Sequence, residues 1–155
     1  MENILLTTFD LLNLGMLIFF WRFTLRYYKI LPEKIPVHFD FYGKADHFGS
    51  RKFSFFMPAF ITVLFAVLIF VLRYENTDDF PVEITEQNKE NQFLIMDVFV
   101  RWIITLVILI CMNLQDYMFR YTFDENIKPR VPFGGAMLAV FGSMITVFIF
   151  IGLFK

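Results

Sequence analysis

The chain has 155 residues, of which 57% are hydrophobic, 19% charged and 23 are phenylalanine, and its net charge is −1. A soluble domain carries about 25% charged residues, and a mean hydropathy of +0.58 leaves more apolar surface than one small core can hide, so a soluble globular protein is excluded. The near-neutral charge gives no basic footprint for nucleic acid.

Four apolar windows follow in order: 9–28, 55–72, 98–117 and 133–154. Each is long enough to cross about 30 Å of hydrocarbon at 1.5 Å per residue. The runs are continuous rather than alternating, which predicts helices and not a barrel. The first helix should reach from about Ile4 to Leu31. It lacks a basic start and a small-residue cleavage site and carries Asp10, so it is expected to stay attached. Leu31-Pro32 ends it, Pro58 falls in the opening turn of the second, and Lys128-Pro129 and Pro132 precede the fourth. The expected fold is therefore an all-α integral membrane protein, one domain over 1–155, with four transmembrane helices.

Basic residues flank the spans unevenly. Arg26, Lys29, Lys34, Lys44, Arg51 and Lys52 cluster around the first connection, and Arg120, Lys128 and Arg130 around the third. The second connection, 73–97, is acidic through Glu75, Asp78, Asp79, Glu83, Glu86 and Glu90. The positive-inside rule puts connections one and three in the cytoplasm and both termini outside. The lone Cys111 lies in an apolar run and reads as a buried thiol. Trp21 and Trp102 read as interfacial anchors. Gly135, Ala139 and Ser143, with Gly142 beside them, form a small-residue stripe that suits packing within the chain, or else a dimer face.

Charges inside the windows fall into two layers, Asp10, Asp97 and Arg101 toward one side and Arg22, Arg26 and Asp116 toward the other. Such charges need a partner or water. Polar contacts between the first and third helices are expected near both ends, with snorkelling and i,i+4 pairing as the plainer account.

The densest chemistry is in Leu31–Lys52, which holds both histidines. Ile35-Pro36 forces extended backbone. Val37–Tyr42 alternates His38, Asp40 and Tyr42 against Val37, Phe39 and Phe41, and Gly43 supplies a turn. Ala45–Phe48 runs back, and Gly49-Ser50 leads into the second helix, with Ser50 or Ser54 as its cap. A short hairpin-like polar loop on the membrane surface fits, tied by hydrogen bonds of His38 and Asp46. His38, Asp40, Asp46 and His47 are also metal-ligand types, but no HExxH, cysteine ligand, GxGxxG or nucleophile elbow accompanies them. No metal, cofactor or catalytic residue is expected.

The run Leu31-Pro32, Ile35-Pro36, His38, Gly43, Asp46, Phe48, Gly49, Ser50 resembles the signature of an uncharacterised bacterial membrane domain at the N-terminus of SdpI-type immunity proteins. The segment Phe80–Phe93 is similar to that family's Pro-x-x-Ile-Thr-x-x-Asn stretch before the third helix. Asp40 stands where the family has Asn, and Arg51 where it has Lys; the full proteins have more membrane helices than this chain has room for. The resemblance implies a non-enzymatic protein of the bacterial inner membrane. It would bind through Pro32, Pro36, His38, Asp40, Gly43, Asp46, Gly49, Ser50 and Arg51, and would protect against a toxic peptide or envelope stress. Its partners would be the lipid bilayer and a peptide toxin or another membrane protein. Two other readings stay open. One is a small transport component whose polar path is lined by Arg22, Arg26, Asp97, Arg101 and Asp116; the other is a membrane enzyme using His38, Asp40, Asp46 and His47.

Overall fold

Hydrocarbon offers no partner to a backbone N–H or C=O, so apolar windows fold as helices that close their hydrogen bonds internally. The computed structural model describes residues 2–40, 42–71 and 80–154. In it helix α1 spans Glu2–Tyr28, strand β1 Lys34–Phe39, strand β2 Ala45–Ser50, helix α2 Phe56–Val71, helix α3 Lys89–Tyr121 and helix α4 Phe133–Leu153. A 3₁₀ turn at Arg51–Phe55 joins β2 to α2. Four helical spans are long and apolar enough to cross a membrane, the second running from Arg51 through the 3₁₀ turn to Phe70. The chain is an all-α, four-span membrane protein with a hairpin after its first span. Phe41, Leu72, Glu75, Asp78 and Asp79, which figured in the sequence reading, lie outside the described residues.

The prolines act where expected. The chain leaves α1 through Ile30 and Leu31 amides that both donate to Tyr27 O, and Pro32 follows. Pro58 is buried in the first turn of α2. Pro132, extended at φ −61° and ψ 148°, caps α4. The boundary that moves is the start of α3, nine residues before the apolar window opens at Val98. Residues 89–97 are half polar but contain no helix breaker, so they wind into two more turns.

Helix α3 is the element the others pack on: it touches α1, α2, α4 and β1. Leu17 and Phe20 of α1, Ile61 of α2, and Ile104 and Ile108 of α3 form one buried cluster. Cys111 lies half-buried at its edge. Polar contacts run from Asp10 to Arg101 and from Thr24 to Gln115, so α1 and α3 are parallel.

Both tryptophans also hydrogen-bond to a neighbouring helix. Trp21 Nε1–H donates to Thr62 Oγ1 on α2 at 3.0 Å, and Trp102 Nε1–H donates to Ser143 Oγ on α4 at 2.8 Å. Inside hydrocarbon an indole N–H needs an acceptor, and a neighbouring helix supplies it. The small-residue stripe of α4 departs from close intramolecular packing. The buried face of α4 is Ala136, Val147 and Ile151, while Gly135, Ala139 and Gly142 are exposed. A Cβ added at Gly142 would meet nothing within 4 Å. Ala139, Gly142 and Ser143 border an apolar groove of about 720 Å³ against Leu94, Val98 and Phe99 of α3.

The polar layer between α1 and α3 is a closed network. Arg101 Nε–H donates to Asp10 Oδ1 at 2.9 Å, and its Nη1 donates to Asp97 Oδ1 at 3.1 Å. Asn13 Nδ2 donates to Arg101 O, and the Thr105 hydroxyl lies 2.8 Å from Asn13 Oδ1. Only 11% of the Arg101 side chain is exposed, against 35% of Asp10. Removing the cation leaves two carboxylates facing each other across an apolar seam. Arg101→Gln is expected to cost about 3 kcal/mol, the scale of breaking a buried pair, and to lower the melting midpoint of the detergent-solubilised protein. Asp97→Asn should lower it less, because Asp10 still pairs with the arginine.

Candidate functional site

An isolated two-stranded hairpin is marginal in water and needs a surface to pack on. Here the surface is the last two turns of α3. β1 and β2 pair antiparallel, with Lys34 opposite Ser50, Ile35 opposite Gly49, Pro36 opposite Phe48 and Phe39 opposite Ala45. The ladder slips at Val37, where His38 falls opposite His47. The slip follows Pro36, which has no N–H to give the ladder.

Alternation then sorts the side chains. Ile35 is fully buried and, with Leu31, Met118 and Phe119, forms a second core cluster, with Val37 and Phe39 against it. The Phe39 ring lies 4.9 Å from that of Tyr117 and 5.2 Å from that of Tyr121. The inward face expected of Val37 and Phe39 is therefore the docking face, and it meets helix ends rather than lipid.

The turn is held from inside and from below. Asp40 Oδ1 accepts the amides of Tyr42 and Lys44 at 2.9 and 2.8 Å. A carboxylate at this position does what an asparagine side chain would do, so the departure from the family pattern is structurally neutral. Gly43 sits at φ +80°, in left-handed territory that costs other residues about 1–2 kcal/mol. Its carbonyl accepts from Tyr117 Oη at 2.6 Å, and a Cβ there would come within 3.2 Å of that same hydroxyl. Gly49 is needed for space: a Cβ would meet Val37 Cγ1 at 3.1 Å across the ladder.

At the exit Ser50 Oγ accepts from Lys52 N at 3.3 Å, capping the 3₁₀ turn, and Ser54 Oγ–H donates to Arg51 O. Arg51 works as a strut, donating to Leu31 O at 3.2 Å while its guanidinium stacks 4.9 Å from the centre of the Tyr28 ring. Of the predicted loop residues, Gly43, Asp40, Gly49, Ser50, Arg51 and Pro36 thus build the hairpin, and Pro32 is exposed at its entry.

His38 and Asp46 face outward. His38 Nδ1 lies 2.6 Å from Asp46 Oδ1, with the two side chains 68% and 49% exposed. His47 and Phe48 are exposed beside them. Among the described residues no three His, Cys, Asp or Glu side chains converge as metal ligands would.

The intramembrane five do not form one path. Asp97 and Arg101 join the Asp10 network; Asp116 binds Arg120 Nε at 2.8 Å and Arg130 Nε at 2.9 Å. Arg22 and Arg26 are exposed on α1 and pair with no carboxylate among the described residues. The far-end contact between α1 and α3 is instead Gln115 Nε2 to Thr24 Oγ1, at 2.6 Å. Sequence reading also missed Tyr117 and Tyr121; the signal was their spacing of four at the end of an over-long helix.

The hydrogen bond from His38, above all, holds the Asp46 carboxyl below its usual range. A carboxyl depressed in the fold stabilises above its unfolded value and loses that contribution as pH falls through the folded one. Asp46→Asn is therefore expected to speed amide exchange at 45–50 at pH 7. The gap to the wild type should begin to narrow as the pH drops below the ordinary aspartate value of about 3.9 and close only below the lower value Asp46 has in the fold.

A family model described as a domain of unknown function, DUF1648, matches residues 15–63. That segment holds the second half of α1, the hairpin and the start of α2. An uncharacterised protein of Archaeoglobus fulgidus is 33% identical over 72 residues, which is 45% of this chain and 39% of that protein. The chain thus spans about two-fifths of the length of the curated relative it matches. No solved structure matches.

Proposed function

We propose that the chain is a non-enzymatic binding protein of the bacterial inner membrane, whose hairpin presents a recognition surface to another polypeptide. The observation that carries this reading is the division of labour in the hairpin. Its inner face is consumed by Met118, Phe119, Tyr117 and Tyr121, whereas β2 turns Asp46, His47 and Phe48 outward. Phe48 is 53% exposed on a strand whose partner strand is docked on α3, so its ring is available to an incoming chain. The resemblance of this segment to SdpI-type immunity proteins is the ground for taking a toxic peptide as the partner.

The test is a challenge of cells lacking the chain with the secreted peptides of related strains. Wild-type chain should restore survival, and Phe48→Ser should abolish it while its amount in the membrane stays unchanged. Equal survival with and without the chain would sink the protective role.

A second reading, a small transport component, draws on the Asp10–Arg101–Asp97 network, since paired charges inside a span often mark an ion pathway. Under it, Asp97→Asn at full abundance would remove function and Phe48→Ser would not. The membrane-enzyme reading has the His38–Asp46 pair as its support.

The proposed orientation places the hairpin in the cytoplasm and both termini outside, following the basic residues around the hairpin and the 122–132 connection. Single cysteines at Lys44 and Gln87, both exposed, report it in a Cys111→Ser background. A membrane-impermeant thiol reagent on intact cells should label Gln87→Cys and spare Lys44→Cys. The reverse pattern would put the hairpin outside, in the path of an extracellular peptide.

A further inference from the structure

Arg22 and Arg26 pose a problem of charge. Helix α1 has 27 residues, about 40 Å of helix against about 30 Å of hydrocarbon, so its last turns reach the headgroups. Arg22 still lies about 9 Å of helix rise before the end of α1 at Tyr28. An arginine there needs an anion or water.

Among the described residues no carboxylate pairs with Arg22 or Arg26. The described carboxylates of the membrane interior are taken: Asp10 and Asp97 by Arg101, and Asp116 by Arg120 and Arg130. At 3.6 residues per turn, Arg22, Arg26 and Lys29 fall on one stripe of α1. All three are exposed. The stripe lies opposite Asn13, Leu17, Phe20 and Thr24, which are buried toward α3. It therefore points away from the bundle, into the lipid.

The same stripe continues down the helix as Ile18, Gly15 and Leu11. Ile18 and Leu11 are 54% and 64% exposed. A Cβ at Gly15 would meet nothing within 4 Å, so a shallow notch lies between them. Three cations toward the end of the span thus stand above an apolar, notched strip about two turns long. That is the charge and polarity profile of one lipid molecule laid along a helix: a phosphate for the cations and an acyl chain for the strip. A free phosphate would satisfy the cations and leave the strip without a role.

We infer that this outward stripe of α1 binds an anionic diacyl phospholipid, with its phosphate between Arg22 and Arg26, Lys29 at its outer oxygens, and an acyl chain along Ile18, Gly15 and Leu11. The site is separate from the hairpin's outward face and does not depend on what that face binds.

Trp21, the neighbour of Arg22, is a built-in reporter. The Trp102→Phe protein, placed in phosphatidylcholine nanodiscs, receives a small fraction of brominated phosphatidylglycerol or of brominated phosphatidylcholine. The anionic lipid should quench Trp21 about fivefold more than the neutral one at equal mole fraction, the preference that one basic side chain near an anionic surface supplies. Equal quenching by the two overturns the site. The R22Q/R26Q/K29Q variant should quench equally with both lipids. If it inserts poorly, Arg26→Gln alone should lower the preference. Removing the same kind of charge elsewhere at this end, with Lys44→Gln and Lys128→Gln, should leave it intact. Loss of preference in that control would reduce the effect to general surface charge, and displacement by inorganic phosphate at matched ionic strength would make it a free-anion site. Either result refutes a lipid site.

Discussion

A 33-residue helix is about 50 Å long, and a bilayer's hydrocarbon occupies only about 30 Å of it. The surplus of α3 is the constraint on which the rest of the molecule depends. At its C-terminal end the extra turns carry Tyr117, Met118, Phe119 and Tyr121 beyond the three-helix core, and these residues are the floor of the hairpin. At its N-terminal end the extra turns bring Gln92 to the far end of α4, where its amide donates to Ile151 O and Phe154 O at 3.1 and 2.8 Å. A helix cut to fit the membrane would leave the hairpin with nothing to lie on and the last carbonyls of α4 without donors.

The polar side chains inside the spans follow one logic. Lipid solvates apolar surface as well as protein does, so burial alone does not hold membrane helices together. What does distinguish one helix pairing from another is where polar groups find each other. Asn13 and Thr105, Thr24 and Gln115, Trp21 and Thr62, and Trp102 and Ser143 each join a pair of helices at one height. Around them the aromatic rings fill space: Phe119 stacks against both Phe23 and Tyr27, at 5.6 and 5.2 Å. The phenylalanine-rich composition is in this sense a packing material and the few polar groups are its register marks.

Much of this was legible in the sequence, and for reasons that can be named. Span lengths are set by hydrocarbon thickness, proline cannot continue a helix, and a left-handed turn asks for glycine, so the four windows, their stops and Gly43 could be placed. Alternation likewise separated Val37 and Phe39 from His38. What could not be read was choice among equally permitted partners. Asp116 could pair with Arg22 or Arg26 across the helices, with Arg120 one turn on, or with Arg130 in the connection; the sequence offers all of them, and geometry selected the last two. The early start of α3 was hidden because Lys89, Glu90, Asn91 and Gln92 look like loop residues until Gln92 is seen to serve α4. The Ile84-Thr85 and Asn88 pattern has a local reading too. Asn88 accepts from the Thr85 amide and donates to Glu83 O, a turn that launches α3.

The connection between α3 and α4 is fastened at both edges. Asn113 and Val131 exchange two hydrogen bonds, of 2.9 and 3.0 Å, and Asp116 holds Arg130 on the way out of the membrane. With Gln92 bonded to the opposite end, α3 and α4 form a ring of chain fastened near both ends, and the apolar groove lies along the half nearer Gln92. Such a closed pair carries its own end contacts and can enter a bilayer as one antiparallel unit. The hairpin-linked α1–α2 pair and the α3–α4 pair then meet along the face of α3 that holds Arg101, Ile104 and Ile108.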